Sequence, residues 1–284
     1  MAKIGGKTRS VVVGGTAIGG DAGLVLVAGP CVIESEKHVR KMAERLVRIT
    51  GDLGMGFVFK SSYDKANRSS LDSYRGPGLA AGLEILARIK ADHGTPVLSD
   101  IHAEEEIAPA AAVLDVLQIP AFLSRQTSFL VKAGQSGKPV NIKKAQFMAP
   151  WEMKNAVDKV LSTGNADIIL TERGACFGYN NLVADMRSLP ILRALGLPVL
   201  FDATHSVQLP GGKASCSGGD RDMAAVLARA AAAAGIDGIF LETHDDPDHA
   251  LCDGPNMIPL AELPRLLETL LELDQVRRRH EDAG

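Results

Sequence analysis

Cations and metal-ligand residue types recur at one kind of place in this chain of 284 residues, at or just after the end of a short apolar run. Lys60, Lys65, Arg68, Lys143 and Arg173 form one such set. Singly each reads as a surface charge. Together, in a chain of formal net charge −3, they predict a local site for an anionic ligand, because Lys and Arg hold phosphate and carboxylate through short, charge-assisted hydrogen bonds. A second set is Cys31, His205, Glu242 and Asp253. Thiolate, imidazole and carboxylate are donors for divalent Zn²⁺, Fe²⁺ or Mn²⁺. From spacing alone, the same four residues also read as a buried cysteine, a hydrogen-bonded core histidine and two ordinary acids.

The runs that precede these residues are VLVAGPC (25 to 31), GFVFKSS (56 to 62), PVLSDIH (96 to 102), VLQIPA (116 to 121), PVNIKKA (139 to 145), DIILTER (167 to 173), PVLFDATH (198 to 205) and GIFLETH (238 to 244). Segments of helical spacing separate most of them, and alternation of strand and helix predicts a parallel sheet covered by helices. Eight such units in one chain of this length predict an α/β fold, a (β/α)8 TIM barrel spanning 1–284 as one domain. Chemistry in that fold sits at the carboxyl ends of the strands, which here carry Cys31, Lys60, Asp100, Gln118, Lys143, Arg173, His205 and Glu242. Side chains alternate across a strand, so only one of Lys143 and Lys144 faces the lumen, and Lys143 is the expected one.

Before the first barrel strand, RSVVVGG, TAIGGDAG and LVLVAGP alternate apolar segments with a Gly-Gly-Asp turn. They predict a hairpin over 10–22, within an N-terminal region of 1–23, that closes the bottom of the barrel. Ser35 is positioned to cap a helix bearing Val39, Met42, Leu46 and Ile49, and Pro150 to open another. The alanine-rich stretch 221–235 predicts a helix stopped by Gly235. The final helix is expected from about Pro259 to Val276, leaving RRRHEDAG (277–284) as a frayed tail. Two long connections, 61–78 and 205–220, leave the catalytic face, and the glycine pairs of the second suggest a mobile lid.

Composition narrows the class. With 46% hydrophobic and 23% charged residues the chain reads as an ordinary globular protein. The slight negative charge argues against a general nucleic-acid surface. Cys31, Cys176, Cys216 and Cys252 form no Cys-x-x-Cys pair and predict no disulfide framework. The start lacks a signal-peptide pattern, and no stretch of 18 consecutive apolar residues predicts a membrane span. Those features together point to a reducing cytoplasm.

Several segments carry a resemblance: AGPCVIES (28 to 35), FKSSYDKANRSS (59 to 70), SDIH (99 to 102), LQIPAFLSRQT (117 to 127), NIKKAQF (141 to 147), ERGACFGYNNLVADM (172 to 186), FDATHSVQ (201 to 208) and LETHDDPDHALCDGPNMIPL (241 to 260). From about residue 10 to 270 the chain resembles the 3-deoxy-D-manno-octulosonate 8-phosphate synthase family. The resemblance implies a transferase that condenses phosphoenolpyruvate with D-arabinose 5-phosphate and water, for the KDO precursor of lipopolysaccharide. It implies that Lys65, Lys143 and Arg173 hold phosphoenolpyruvate with Lys60 and Gln118 close by, and that Asn67, Arg68 and Ser69 reach the arabinose phosphate. Apart from the resemblance, Asn67 or Asp100 is expected to read the sugar hydroxyls. Lys65, Asp100, His205 and Cys31 are the expected catalytic set. Arg125 matches an arginine lent to a neighbouring subunit, which implies a homotetramer.

The family divides into metal-dependent members and members with Asn at the position of Cys31, so Cys31 places this chain with the metal-dependent group. Its Cys252-Asp253-Gly254-Pro255 stretch resembles the metal-independent one. A 3-deoxy-D-arabino-heptulosonate 7-phosphate synthase, using erythrose 4-phosphate, is the nearest alternative. It has Lys-Pro-Arg-Thr where this chain has Lys65-Ala66-Asn67-Arg68-Ser69, which favours the longer sugar. A sugar-phosphate sensor on the same barrel would have lost a cation or a metal donor, and none is lost.

Overall fold

The computed structural model describes residues 7–68, 70–176, 179, 181–213 and 216–281. Strands form on each of the apolar runs: β1 (Val25–Gly29), β2 (Gly56–Lys60), β3 (Val97–Asp100), β4 (Val116–Ile119), β5 (Val140–Lys143), β6 (Ile168–Glu172), β7 (Val199–Asp202) and β8 (Gly238–His244). Each pairs in parallel with its sequence neighbour. β8 also pairs with β1, Leu26 lying opposite Ile239, and so closes the barrel.

A two-residue period then sorts the side chains. Leu26, Phe59, Leu117, Ile142, Leu170 and Phe201 turn outward into the layer shared with the helices. Val27, Val58, Leu98, Val116, Ile169, Leu200 and Phe240 turn inward and form a separate apolar cluster. Two positions further along the same inward face stand Lys60, Asp100, Gln118, Asp202 and Glu242, all buried. The lumen is therefore apolar in its lower part and ionic at the carboxyl ends.

The bottom is closed by a hairpin of Val11–Val13 paired antiparallel with Thr16–Ile18. Its Val11, Val13 and Ile18 join the inward apolar cluster. The turn falls at Gly14 and Gly15, with φ of 51° and 90°, as a tight two-residue hairpin requires. This corrects the expected Gly-Gly-Asp turn. Gly19, Gly20 and Asp21 instead lead into β1, where a Cβ on Gly19 would lie 2.5 Å from the Arg9 carbonyl oxygen.

Outside the sheet lie α1 (Glu36–Asp52), α2 (Leu79–His93), α3 (Ile107–Val113), α4 (Thr127–Gln135), α5 (Met153–Leu161), α6 (Ser188–Arg193), α7 (Arg221–Ala234) and α8 (Leu263–Glu281). Ser35 Oγ accepts from the His38 N–H at 3.2 Å and starts α1 as expected. Pro150 opens a short 3-10 turn that leads into α5. Ala224, Ala228, Ala231 and Ala232 bury one face of α7, and Gly235 ends it.

Within the 205–220 connection, Gln208–Lys213 pairs antiparallel with Cys216–Gly219. Gly219 serves close approach there, since a Cβ would collide with the Asn256 side chain. The last helix begins later and runs further than expected, through Glu281. Arg277 and Arg278 both donate to Asp274, at 2.6 and 2.7 Å, and Arg278 also donates to the Ala22 carbonyl at 2.7 Å. Cations in a last turn also oppose the helix dipole.

Because Ile18 is buried against the lumen cluster, Ile18→Ala should cost about 2–5 kcal/mol of stability, read as a lower urea midpoint at an unchanged m-value. A loss under about 1 kcal/mol would mean that the hairpin does not seal the barrel.

Candidate active site

Glu242, inward at the end of β8, is the hub of the mouth. Its Oε1 accepts from Lys60 Nζ at 3.1 Å, and it lies 3.7 Å from Lys65 Nζ and 3.5 Å from His205 Nε2. Among the described residues its Oε2 is buried with no protein partner. Burial alone would raise the Glu242 carboxyl, but His205, Lys60, Lys65 and Lys143 hold it well below the usual carboxylate range. Lys60 is fixed further by the Cys31 carbonyl at 3.2 Å and Ser62 Oγ at 3.1 Å.

Asp202, inward at the end of β7, is fully buried and accepts from Lys143 Nζ. Its Oδ1 accepts the His205 N–H at 2.9 Å and caps the helical turn Ala203–Ser206. His205 therefore sits one turn beyond the strand, not at its end as expected. Its Nδ1 lies 2.8 Å from Asp202 Oδ2, which leaves Nε2 facing Glu242 and Asp253, the latter at 4.0 Å. Against burial, His205 and Lys143 hold the Asp202 carboxyl well below its ordinary range. Burial pushes the Lys143 ammonium down, with Asp202 opposing. Lys144 is turned away from the cavity, to the carbonyls of Ala145, Met148 and Gly174.

Asp100 accepts from Ser62 Oγ, and its other oxygen is 3.5 Å from His102 Nε2. Against burial, Lys60, Lys65 and His102 keep it ionised far into acid. Across the cavity, Arg173 Nη2 donates to Gln208 Oε1 at 3.1 Å, while Gln208 Nε2 donates to Asp253 Oδ2 at 3.3 Å. Among the described residues, Arg173 Nη1 and Gln118 Oε1 are buried without a protein partner. Lys60, Lys65, Lys143 and Arg173 line one cavity with Asp100 and Gln118. Unpaired buried polar atoms are uncommon in folded proteins and call for a ligand or water.

Asn67 and Arg68 also line that cavity. Arg68 Nε donates to the Tyr74 carbonyl at 3.0 Å and Nη2 to that of Leu251 at 3.1 Å. Ser69 lies outside the described residues. Arg125 is exposed and does not line the cavity of its own chain.

The four expected metal donors are brought together as two triads that share Asp253. His205, Glu242 and Asp253 form one, and Cys31 and Cys252 with Asp253 the other, donor atoms in each lying within 4.8 Å of one another. Cys31 Sγ is 3.7 Å from Asp253 Oδ2, and burial pushes its thiol up. This donor set, with the orphaned Glu242 Oε2 beside it, fits a divalent cation.

Asp202 and Gln208 were not read as site residues from the sequence, and Cys252 was read only through its Cys-Asp-Gly-Pro stretch. Asp202 was legible, lying two positions beyond inward Leu200. Gln208 and Cys252 reach the site by turns that carry no periodicity. Among the described residues no helix is long and apolar enough to cross a membrane.

The sequence pattern of the DAHP synthetase I family matches residues 4–279. The chain is 62% identical over 271 residues to the 2-dehydro-3-deoxyphosphooctonate aldolase of Trichlorobacter lovleyi, covering 95% of this chain and 100% of that one. It is 60% identical to the enzyme of that name from Pelobacter propionicus and 58% to that from Geobacter sulfurreducens, each over 269 residues, 95% of this chain and 99% of the relative.

The lowered carboxyls of Asp100, Asp202 and Glu242 contribute stability that is fully present above the unfolded-state range, about pH 4, and lost as pH falls through their folded values. Asp202→Asn should therefore flatten the rise of unfolding free energy with pH between about 2 and 4. Urea titrations across that range check it, and equal slopes would contradict the ionised Asp202.

Proposed function

For a chain that belongs to the DAHP synthetase I family, we propose that the barrel mouth condenses phosphoenolpyruvate with D-arabinose 5-phosphate and water, giving 3-deoxy-D-manno-octulosonate 8-phosphate and inorganic phosphate. The names of relatives matched along almost their whole length support this reading. The observation that carries it is the convergence of Lys60, Lys65, Lys143 and Arg173 on one cavity in a net-negative chain, with Arg173 Nη1 left unpaired.

Two anionic substrates repel, so fixed cations supply both proximity and electrostatic stabilisation. Lys143, Arg173 and Lys65 clamp phosphoenolpyruvate, with Lys60 and Gln118 beside it. Asn67, Arg68 and Ser69 take the sugar phosphate at the rim. Held there, C3 of the enol phosphate meets the aldehyde carbon while water adds at C2. Asp100, kept ionised by its lysines, accepts from a sugar hydroxyl. Asp202 orients the His205 ring so that Nε2 points at the metal donors. Cys31, His205, Glu242 and Asp253 would hold a divalent metal, which when bound would supply Lewis acidity to the aldehyde or the water. Arg125, outside its own cavity, completes a neighbour's site in a homotetramer, and the enzyme works in the cytoplasm on a lipopolysaccharide precursor.

Phosphate release from phosphoenolpyruvate should require arabinose 5-phosphate. Erythrose 4-phosphate should not replace it, and the opposite preference would assign the shorter sugar. Arg173→Ala should lower kcat/KM about 10²–10³-fold. Chelation should remove activity and Mn²⁺, Zn²⁺ or Fe²⁺ restore it. Full turnover after verified metal removal would contradict the metal.

A further inference from the structure

Cys31 Sγ and Cys252 Sγ are 2.8 Å apart, well inside the roughly 3.5–4 Å of an ordinary nonbonded contact. Both residues are buried, at 0% and 3% exposure. Val32 and Met257 pack around them as apolar neighbours. The Asp253 carboxylate lies within 4.8 Å of both sulfurs. Adjacent side chains normally diverge along an extended chain, yet Cys252 and Asp253 both reach this point. Asp253 has φ 50°, and no other non-glycine among the described residues has a positive φ. The turn is held from both sides. The Leu251 N–H donates to Glu34 Oε1 at 2.9 Å, and the Asn256 N–H to the Asp253 carbonyl at 2.9 Å.

We propose that Cys252 is a second thiolate donor to the divalent cation of Cys31 and Asp253, so that this chain offers a dithiolate site selective for soft ions such as Zn²⁺; the proposal rests on the metal site put forward above. Zinc–sulfur bonds of about 2.3 Å set two thiolates on one tetrahedral ion about 3.8 Å apart. Seating an ion therefore opens the sulfur pair by about 1 Å, back to an ordinary separation. A second thiolate also shifts preference from oxygen-seeking ions such as Mn²⁺ towards Zn²⁺. Both thiols release their protons to solvent as the metal binds.

The test uses the full-length chain, stripped of metal and titrated with Co²⁺ as a spectroscopic probe. The near-ultraviolet thiolate-to-cobalt absorbance, per bound ion, counts sulfur donors. Wild type should show about twice the intensity of Cys252→Ser and of Cys31→Ser, with Cys176→Ser matching wild type. Cys252→Ala, with circular dichroism, guards against a misfolded serine variant. Zn²⁺ should also lose more affinity than Mn²⁺ in Cys252→Ser. Equal intensity in wild type and both Cys252 variants would overturn the second thiolate and leave Cys31 as the single one. Bound Co²⁺ with no such absorbance, or no bound Co²⁺, would overturn the Cys31 metal site itself and this proposal with it.

Discussion

Asp100, Asp202 and Glu242 are buried beside Lys60, Lys65, Lys143 and Arg173 in one barrel mouth, and the rest of the site depends on their mutual neutralisation. A buried charge without a partner costs several kcal/mol, about 3–5 when one member of a buried pair is removed. Each buried lysine must therefore have an acid beside it. Lys143 has Asp202, and Lys60 and Lys65 share Glu242. Such pairs add little net stability. They keep buried cations compensated at the cavity wall. The acids nearly balance the cations.

The scaffold makes this arrangement tolerable by dividing the lumen. Val58 and Lys60, Leu98 and Asp100, Leu200 and Asp202, and Phe240 and Glu242 are pairs on single strands, two residues apart on one face. The lower member packs against the plug of Val11, Val13 and Ile18. The upper member carries the charge at the carboxyl ends. Because the hairpin seals the bottom, water and ligands enter from the carboxyl ends, where the loops after β2 and β7 stand.

Much of this was legible in the sequence. The eight strands followed from apolar runs, and Lys143 rather than Lys144 followed from alternation. The cation set and the four expected metal donors were picked out by residue type at or beyond strand ends, sharpened by family resemblance. What escaped was set by tertiary contact rather than period. The hairpin turned at Gly14–Gly15 instead of Gly19–Asp21, since both pairs permit positive φ and packing chose. His205 moved onto a helical turn because Asp202 caps it. The tail stayed helical because Asp274 pairs with two arginines. Cys252, read in the sequence only as part of Cys252-Asp253-Gly254-Pro255, lies against Cys31 next to a left-handed Asp253.

The most direct test of the central claim follows the carbon rather than the phosphate. Phosphoenolpyruvate labelled with ¹³C at C2 is incubated with arabinose 5-phosphate and enzyme and watched by NMR. The account predicts that the enol signal is replaced by the anomeric carbon of a single eight-carbon sugar phosphate, which requires that C3 has bonded to the aldehyde. Labelled pyruvate with free phosphate and unreacted pentose would contradict it, because the cations would then serve hydrolysis and not condensation.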